Sequence, residues 1–158
     1  MKTKSIKTKS MSQTQLLGEH LGQCFRGGEV IELSSDLGGG KTTLVQGLVR
    51  GFGSADVVSS PSFTISNVYS RSDGKEFHHF DFYRLSDPGI VASELQEVIG
   101  RDDFVVAVEW ADSVKNVIPK EHIKIIVNVV SGNERMIHVT YPDELHYLFK
   151  NVKDGEVI

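Results

Sequence analysis

A single cysteine, Cys24, rules out an internal disulfide and points to a reducing compartment. No apolar run approaches the ~20 residues that a membrane-spanning helix needs. The basic first ten residues lack the apolar core of a signal peptide. The expectation is a cytoplasmic protein with no membrane partner. Positive charge is also scarce: 17 Lys and Arg against 21 Asp and Glu give a net charge of −4. Lys2, Lys4, Lys7 and Lys9 crowd the first ten residues, so the rest of the chain is more acidic than the total. A broad nucleic-acid-binding face needs clustered Lys and Arg to neutralise phosphates, and this composition argues against one. The 158 residues suffice for one domain with a real core, and no repeat or linker interrupts them.

The most informative stretch is Ser35-Asp36-Leu37-Gly38-Gly39-Gly40-Lys41-Thr42-Thr43. It follows an apolar run, Glu29 to Leu33, and precedes a helical pattern from Thr43 to Val49. Strand, glycine-rich turn, Lys-Thr and helix is the layout of a P-loop. Glycines let the backbone curl so that successive amides face one concave anion site. The helix start adds unpaired amides and the positive end of its dipole. Lys41 can set an ammonium against the outer phosphates, the Thr42 hydroxyl can ligate Mg2+, and Thr43 can hold a phosphate oxygen nearer the ribose. The expected ligand is a nucleoside triphosphate with magnesium. Ser35 stands where the usual pattern has glycine. The plainer alternative is a glycine-rich turn followed by a chance Lys-Thr.

Along the chain, Ser12 and Gln15 form a capping-box pattern ahead of a helix carrying Leu16, Leu17, Leu21, Cys24 and Phe25, with Cys24 as packing. Phe63 to Tyr69 and Glu76 to Tyr83 read as a hairpin around Ser72-Asp73-Gly74, so the sheet is mixed. Ser93 to Ile99 reads as a short helix. Phe104 to Val108 is continuously apolar, as in a strand buried on both faces. Ile123 to Val130 and Arg135 to Tyr141 form a second hairpin, and Pro142 to Phe149 a closing helix. The predicted architecture is α/β: residues 1–11 a disordered basic extension, with Met11 a possible alternative start, 12–150 one P-loop NTPase-like domain whose mixed sheet is flanked by helices, and 151–158 a loose tail.

A P-loop needs a carboxylate on a neighbouring strand end to hold magnesium, and another group to orient the attacking water. Glu109 ends the most buried strand, and Asp81 ends Phe77-His78-His79-Phe80-Asp81. The alternative for Asp81 is an ion pair with Arg84, and for Glu109 an exposed acid after a strand. Ser60-Pro61-Ser62-Phe63-Thr64 reads either as a plain turn or as a switch that senses the γ-phosphate through Ser62 or Thr64. Glu32 is expected to face solvent or a helix. His78 and His79 alternate across a strand and face opposite sides. Trp110 beside Glu109 is either core or a docking anchor.

Taken together, Asp36 to Thr43, Ser60 to Thr64, His79-Phe80-Asp81-Phe82-Tyr83-Arg84 and Val108-Glu109-Trp110 resemble the TsaE (YjeE) family over about residues 12 to 142, with Thr14…Leu17-Gly18 and Gly132-Asn133-Glu134 fitting more loosely. The resemblance implies an ATPase, weak alone, required for threonylcarbamoyladenosine modification of tRNA. It implies ATP and Mg2+ as cofactors, TsaB and TsaD as partners, and tRNA met only indirectly. Carried over, Gly38, Gly39, Gly40, Lys41, Thr42 and Thr43 hold the phosphates, with Thr42 and Glu109 at the metal. Lys41, Asp81 and Glu109 support hydrolysis, while Thr14 and Asn133 border the nucleoside. The chain departs from the family pattern at Ser35 (usually Gly), Gly39 (usually Ala), Ser62 (usually Thr) and Asn133 (often basic, a role open to Arg135). Two other readings stand beside this one. A small-molecule kinase would need an arginine-bearing lid, whereas Arg84, Arg101 and Arg135 are scattered. A nucleotide-gated, non-enzymatic module draws its support from Ser35.

Overall fold

The computed structural model describes residues 1–158 except Leu37, Ser62, Phe63, Thr64, Arg84, Ser86, Val157, Ile158 and the side chain of Glu156. The expected strand start at Phe63 therefore lies outside the described residues, as do the switch role of Ser62 or Thr64 and the Asp81–Arg84 pair.

The fold is α/β, with helices on a mixed sheet of eight strands in the order β3-β4-β5-β2-β6-β7-β1-β8. In chain order the strands are β1 (Lys2–Thr8), β2 (Val30–Ser35), β3 (Ser66–Ser70), β4 (Glu76–Asp81), β5 (Phe104–Glu109), β6 (Ile123–Ser131), β7 (Glu134–Tyr141) and the two-residue β8 (Gly155–Glu156). The helices are α1 (Met11–Gly22), α2 (Lys41–Phe52), α3 (Gly89–Val98) and α4 (His146–Phe149). Strands β4, β5, β2 and β6 run parallel, with β2 between β5 and β6. The loop after β2 therefore opens at the carboxyl ends of the central strands, where open α/β sheets bind ligands.

Alternation along the strands divides the core. On one face Ile31, Leu33, Phe77, Val105, Ala107, Ile123, Ile125 and Val127 pack with Leu17, Leu21, Leu44 and Leu48 of α1 and α2. On the other, Val30, Phe80, Val106 and Val108 pack with Leu95 of α3 and with Ala111 and Val114 of a short 3-10 turn. β5 is buried at all six positions, as its unbroken apolar run predicts.

Helices α1 and α2 meet backbone to backbone. Gly18 and Gly22 of α1 face Gly47 and Gly51 of α2. A Cβ added at any of the four would lie 2.5, 2.2, 2.1 or 2.2 Å, respectively, from a carbonyl oxygen of the other helix. The glycines here supply space, which lets α1 lie directly against the P-loop helix.

The expected disordered extension is corrected. Lys2 to Thr8 form β1, paired antiparallel with β7 from Lys2↔Tyr141 to Thr8↔Arg135. Its single apolar residue, Ile6, is fully buried in the main core, while the lysines lie outward or along the rim. Lys4 Nζ also donates to the Val152 carbonyl. One apolar side chain in Lys-Thr-Lys-Ser-Ile-Lys-Thr is too weak a signal to read, but the backbone of β7 offers a full ladder. The tail is likewise tied down in part, since Gly155 and Glu156 pair with Ile6 and Lys7. The α1 cap lies two residues earlier than predicted: Ser10 Oγ accepts from the Gln13 amide at 3.1 Å, and Gln13 Oε1 accepts from the Lys9 amide at 2.8 Å. The same Ser-x-x-Gln pattern occurs twice in register, and β1 delivers the chain to the first copy. The helix after Pro88 begins at Gly89 rather than Ser93, and the closing helix is a 3-10 turn, Asp143–Leu145, followed by α4.

Candidate nucleotide-binding site

The central cleft, about 260 Å3, is lined by Gly38, Gly39, Gly40, Lys41, Thr42, Thr43, Ser60, Asp81, Glu109 and Trp110. Eight residues expected to bind or react thus converge: the P-loop set and both strand-end acids.

The geometry of each follows from its element. β2 ends at Ser35, and the chain turns with the Gly39 amide donating to the Asp36 carbonyl at 2.9 Å. Gly40 has φ +100°, a left-handed conformation that a Cβ would strain, and it starts α2 with no side-chain cap. The first-turn amides of α2 therefore keep the dipole's positive end directed at the cleft. Lys41 is 8% exposed, and its ammonium donates to Ser35 Oγ at 3.1 Å.

Asp81 and Glu109 are ladder partners at the ends of the parallel strands β4 and β5. Both share the α2 face with Phe77, Val105 and Ala107, because odd-numbered residues of these strands point that way. Both are buried, so each carboxylate needs polar partners in place of water. Asp81 Oδ1 accepts from the Tyr83 amide at 2.9 Å. Glu109 Oε1 is 3.0 Å from His79 Nε2, and the His79 ring is itself fully buried. His79 Nδ1 has no hydrogen-bond partner among the described residues, so the contact to Glu109 is the one that orients the ring. His78 lies on the α3 face with Phe80, confirming that the two histidines diverge. Burial pushes its pKa down, against the pull of Glu76 at 2.8 Å.

Trp110 turns the chain out of β5 in a left-handed conformation, φ +55°, which is strained for a non-glycine residue. Its ring, 38% exposed, sits 4.8 Å from the Tyr83 ring and 5.8 Å from Lys41 Nζ. It is therefore cleft wall, between the two readings of core and anchor.

Thr14 and Asn133 do not line this cleft. Thr14 is buried at the start of α1 and pairs with Thr8 Oγ1 at 2.7 Å. Asn133 lies in the exposed β6–β7 turn. From that hairpin it is Arg135 that reaches the loop, donating through Nε to the Gly39 carbonyl at 2.8 Å and through Nη1 to the Gly132 carbonyl at 2.7 Å. Because Thr8 is the ladder partner of Arg135, the end of β1, Thr14 and the hairpin form one wall beside the glycines. Glu32, expected to face solvent or a helix, lies 2.7 Å from His122 Nε2 and 3.5 Å from Lys124 Nζ. Sequence reasoning gave no role to His79, although its place two residues before Asp81 put it on the same strand face.

The donor set suits a magnesium triphosphate. Hydroxyls of Thr42, Thr43 and Ser60 and two carboxylates share the cleft with an ammonium and uncapped amides, and magnesium is commonly held by one or two carboxylates plus phosphates. Among the described residues no group of three or more His, Cys, Asp or Glu could hold a metal alone, and no helix is long and apolar enough to cross a membrane.

Comparison with known proteins bears on the family and the fold. Residues 8–137 match the profile of a family described as threonylcarbamoyl adenosine biosynthesis protein TsaE. The tRNA threonylcarbamoyladenosine biosynthesis protein TsaE of Streptomyces coelicolor is 34% identical over 127 residues, covering 78% of this chain and 86% of that protein. The protein of that name from Bacillus subtilis is 32% identical over 146 residues, covering 89% and 87%. The crystal structure of YdiB from Bacillus subtilis superposes with a TM-score of 0.74 at 26% identity, covering 94% of this chain and 93% of that one.

Proposed function

The chain belongs to the TsaE family of threonylcarbamoyladenosine biosynthesis proteins, and on that premise we propose that it is a magnesium-dependent ATPase. In this reading it is weak alone and serves as an accessory subunit for threonylcarbamoyladenosine modification of tRNA, acting with homologues of TsaB and TsaD. The observation that carries the proposal is the convergence of Lys41, Thr42, Asp81 and Glu109 on one cleft.

The residues divide the work by their chemistry. The glycine loop and the first turn of α2 bind the phosphate tail through main-chain donors. Lys41 sets positive charge against the outer phosphates, and Thr43 holds an oxygen nearer the ribose. Thr42 and Glu109 would hold magnesium, which when bound neutralises charge on the phosphates. His79 keeps one Glu109 oxygen engaged, leaving the other for the cleft. Asp81, beside Glu109, orients the attacking water. The nucleoside is assigned to the wall where Thr14, Asn133 and Arg135 stand. The acidic composition fits a subunit that meets tRNA through its protein partners.

Two arginines weigh against the kinase alternative. Arg101 is paired with Asp103 at the far end of β5, and Arg135 is committed to the loop. The test is phosphate release with and without TsaB and TsaD homologues. Stimulation by the pair is expected, and a rate unchanged by them would contradict the accessory role.

A further inference from the structure

We propose that Ser35 is a positioning residue of the triphosphate site, holding the Lys41 ammonium and the glycine loop as one unit. The proposal rests on reading the cleft as a triphosphate site. Ser35 is the last residue of β2, and its hydroxyl joins two contacts. It donates to the Asp36 carbonyl at 2.7 Å and lies 3.1 Å from Lys41 Nζ. A serine hydroxyl has one proton. With that proton committed to Asp36, only lone pairs face Lys41, and an ammonium can only donate. The chain of hydrogen bonds therefore has a single direction, from Lys41 to Ser35 to Asp36. It engages one of the three ammonium protons and leaves two for a ligand.

The Ser35 side chain also fills the space beneath the loop. A Cβ added at Gly39 would lie 2.5 Å from Ser35 Oγ, 2.8 Å from Ser35 Cβ and 2.9 Å from the Asp36 carbonyl oxygen. The carbonyl of Gly39 also accepts from Arg135 Nε. Gly39 is thus held both by a strand-end serine and by a hairpin arginine. A lysine side chain is costly to order because of its many rotamers. Lys41 meets this cost within the folded protein, being buried and hydrogen-bonded, so its charge is in place before a ligand arrives. The serine in place of a glycine is accordingly no obstruction to the site: serine and Gly39 share one volume.

The two functions of the side chain separate by mutation. Ser35→Ala keeps the Cβ and removes the hydroxyl. It should weaken ATP and ADP binding by about 3- to 10-fold, the net worth of one ordinary hydrogen bond, since the Lys41 charge itself stays. AMP, which lacks the outer phosphates, should bind as to the wild type, and the melting temperature should hold. Gly39→Ala alone should lower both ATP affinity and melting temperature, and the double variant Ser35→Gly/Gly39→Ala should recover part of both losses, the contact with the Asp36 carbonyl remaining, a non-additivity that marks shared space. ATP affinity of Ser35→Ala equal to or above the wild type would overturn the proposal, the latter because serine would then be competing with phosphate for Lys41. Equal weakening of all three nucleotides with a lowered melting temperature would reduce Ser35 to a structural residue. Additive losses in the double variant would refute the shared volume. A wild-type protein that binds neither ATP nor ADP would overturn the reading of the cleft itself, a result distinct from any of these.

Discussion

Replacing Gly47 with alanine should destabilise the protein, although the same change in an ordinary helix interior stabilises it by about 1 kcal/mol. The sign turns on the contact between α1 and α2. An alanine Cβ at residue 47 would lie 2.1 Å from the Gln15 carbonyl oxygen. Reaching an ordinary contact of 3.4 Å separates the helices locally by about 1.3 Å. A gap of ~0.5–1 Å already forfeits a quarter to a half of the attraction between packed atoms. Leu17 and Leu21 of α1 and Leu44 and Leu48 of α2 all lie in this seam. Overpacking of this kind costs about 1–3 kcal/mol or more. Because the obstructing atoms are backbone, the cost lies at the upper end, about 2–3 kcal/mol; set against the helix gain, the net loss is about 1–2 kcal/mol, or roughly 2–8 °C in melting temperature for a chain of this size. The shift would also move Lys41, Thr42 and Thr43 relative to Asp81 and Glu109, since all three open α2. Thermal melting by circular dichroism, with ATP titration in parallel, reads both effects. A melting temperature at or above the wild type would refute the close-contact account.

Other consequences are as direct. Glu109→Gln should bind ATP with near-normal affinity but lose about 100-fold or more in phosphate release, as weakening a metal that neutralises charge on the phosphates does. Removing residues 1–10 should lower the melting temperature by several degrees, since Ile6 alone stabilises by about 1.5–3 kcal/mol and the β7 ladder is left unpaired. His78 should make stability pH-dependent. Its folded pKa lies below the ordinary 6.5, so the unfolded chain takes up the proton first, and stability present at neutral pH declines as pH falls from about 6.5 toward the depressed folded value. His78→Gln should flatten melting temperature against pH in that window, and an unchanged slope would contradict the assignment.

The parts legible in the sequence were those written as local pattern. The glycine loop, the unbroken apolar β5 and the apolar-rich β4 identify the P-loop, the buried strand and both acids without any long-range information. What was illegible depended on register between distant segments. Asp81 and Glu109 meet because β4 and β5 pair in parallel, and His79 reaches Glu109 by the same register. β1 was unreadable because the order of its seven residues comes from the β7 backbone. The close helix pair had a visible signature, glycines four apart in both α1 and α2, which acquires meaning only when the helices are known to touch. Arg135 displaces Asn133 as the loop contact because the hairpin turn carries residue 133 outward and returns residue 135 to the ladder beside Thr8.

The central claim is a triphosphate held by the loop and Lys41, and Trp110 offers the probe. It is the only tryptophan and it lines the cleft. Titrating the protein with ATP and Mg2+ while following Trp110 fluorescence, with calorimetry as the check, should give saturable binding in the wild type. Lys41→Ala should show a loss of about 10- to 100-fold, the range for removing a charged hydrogen-bonding group. Saturable binding of equal strength in both proteins, or none in either, would contradict the account.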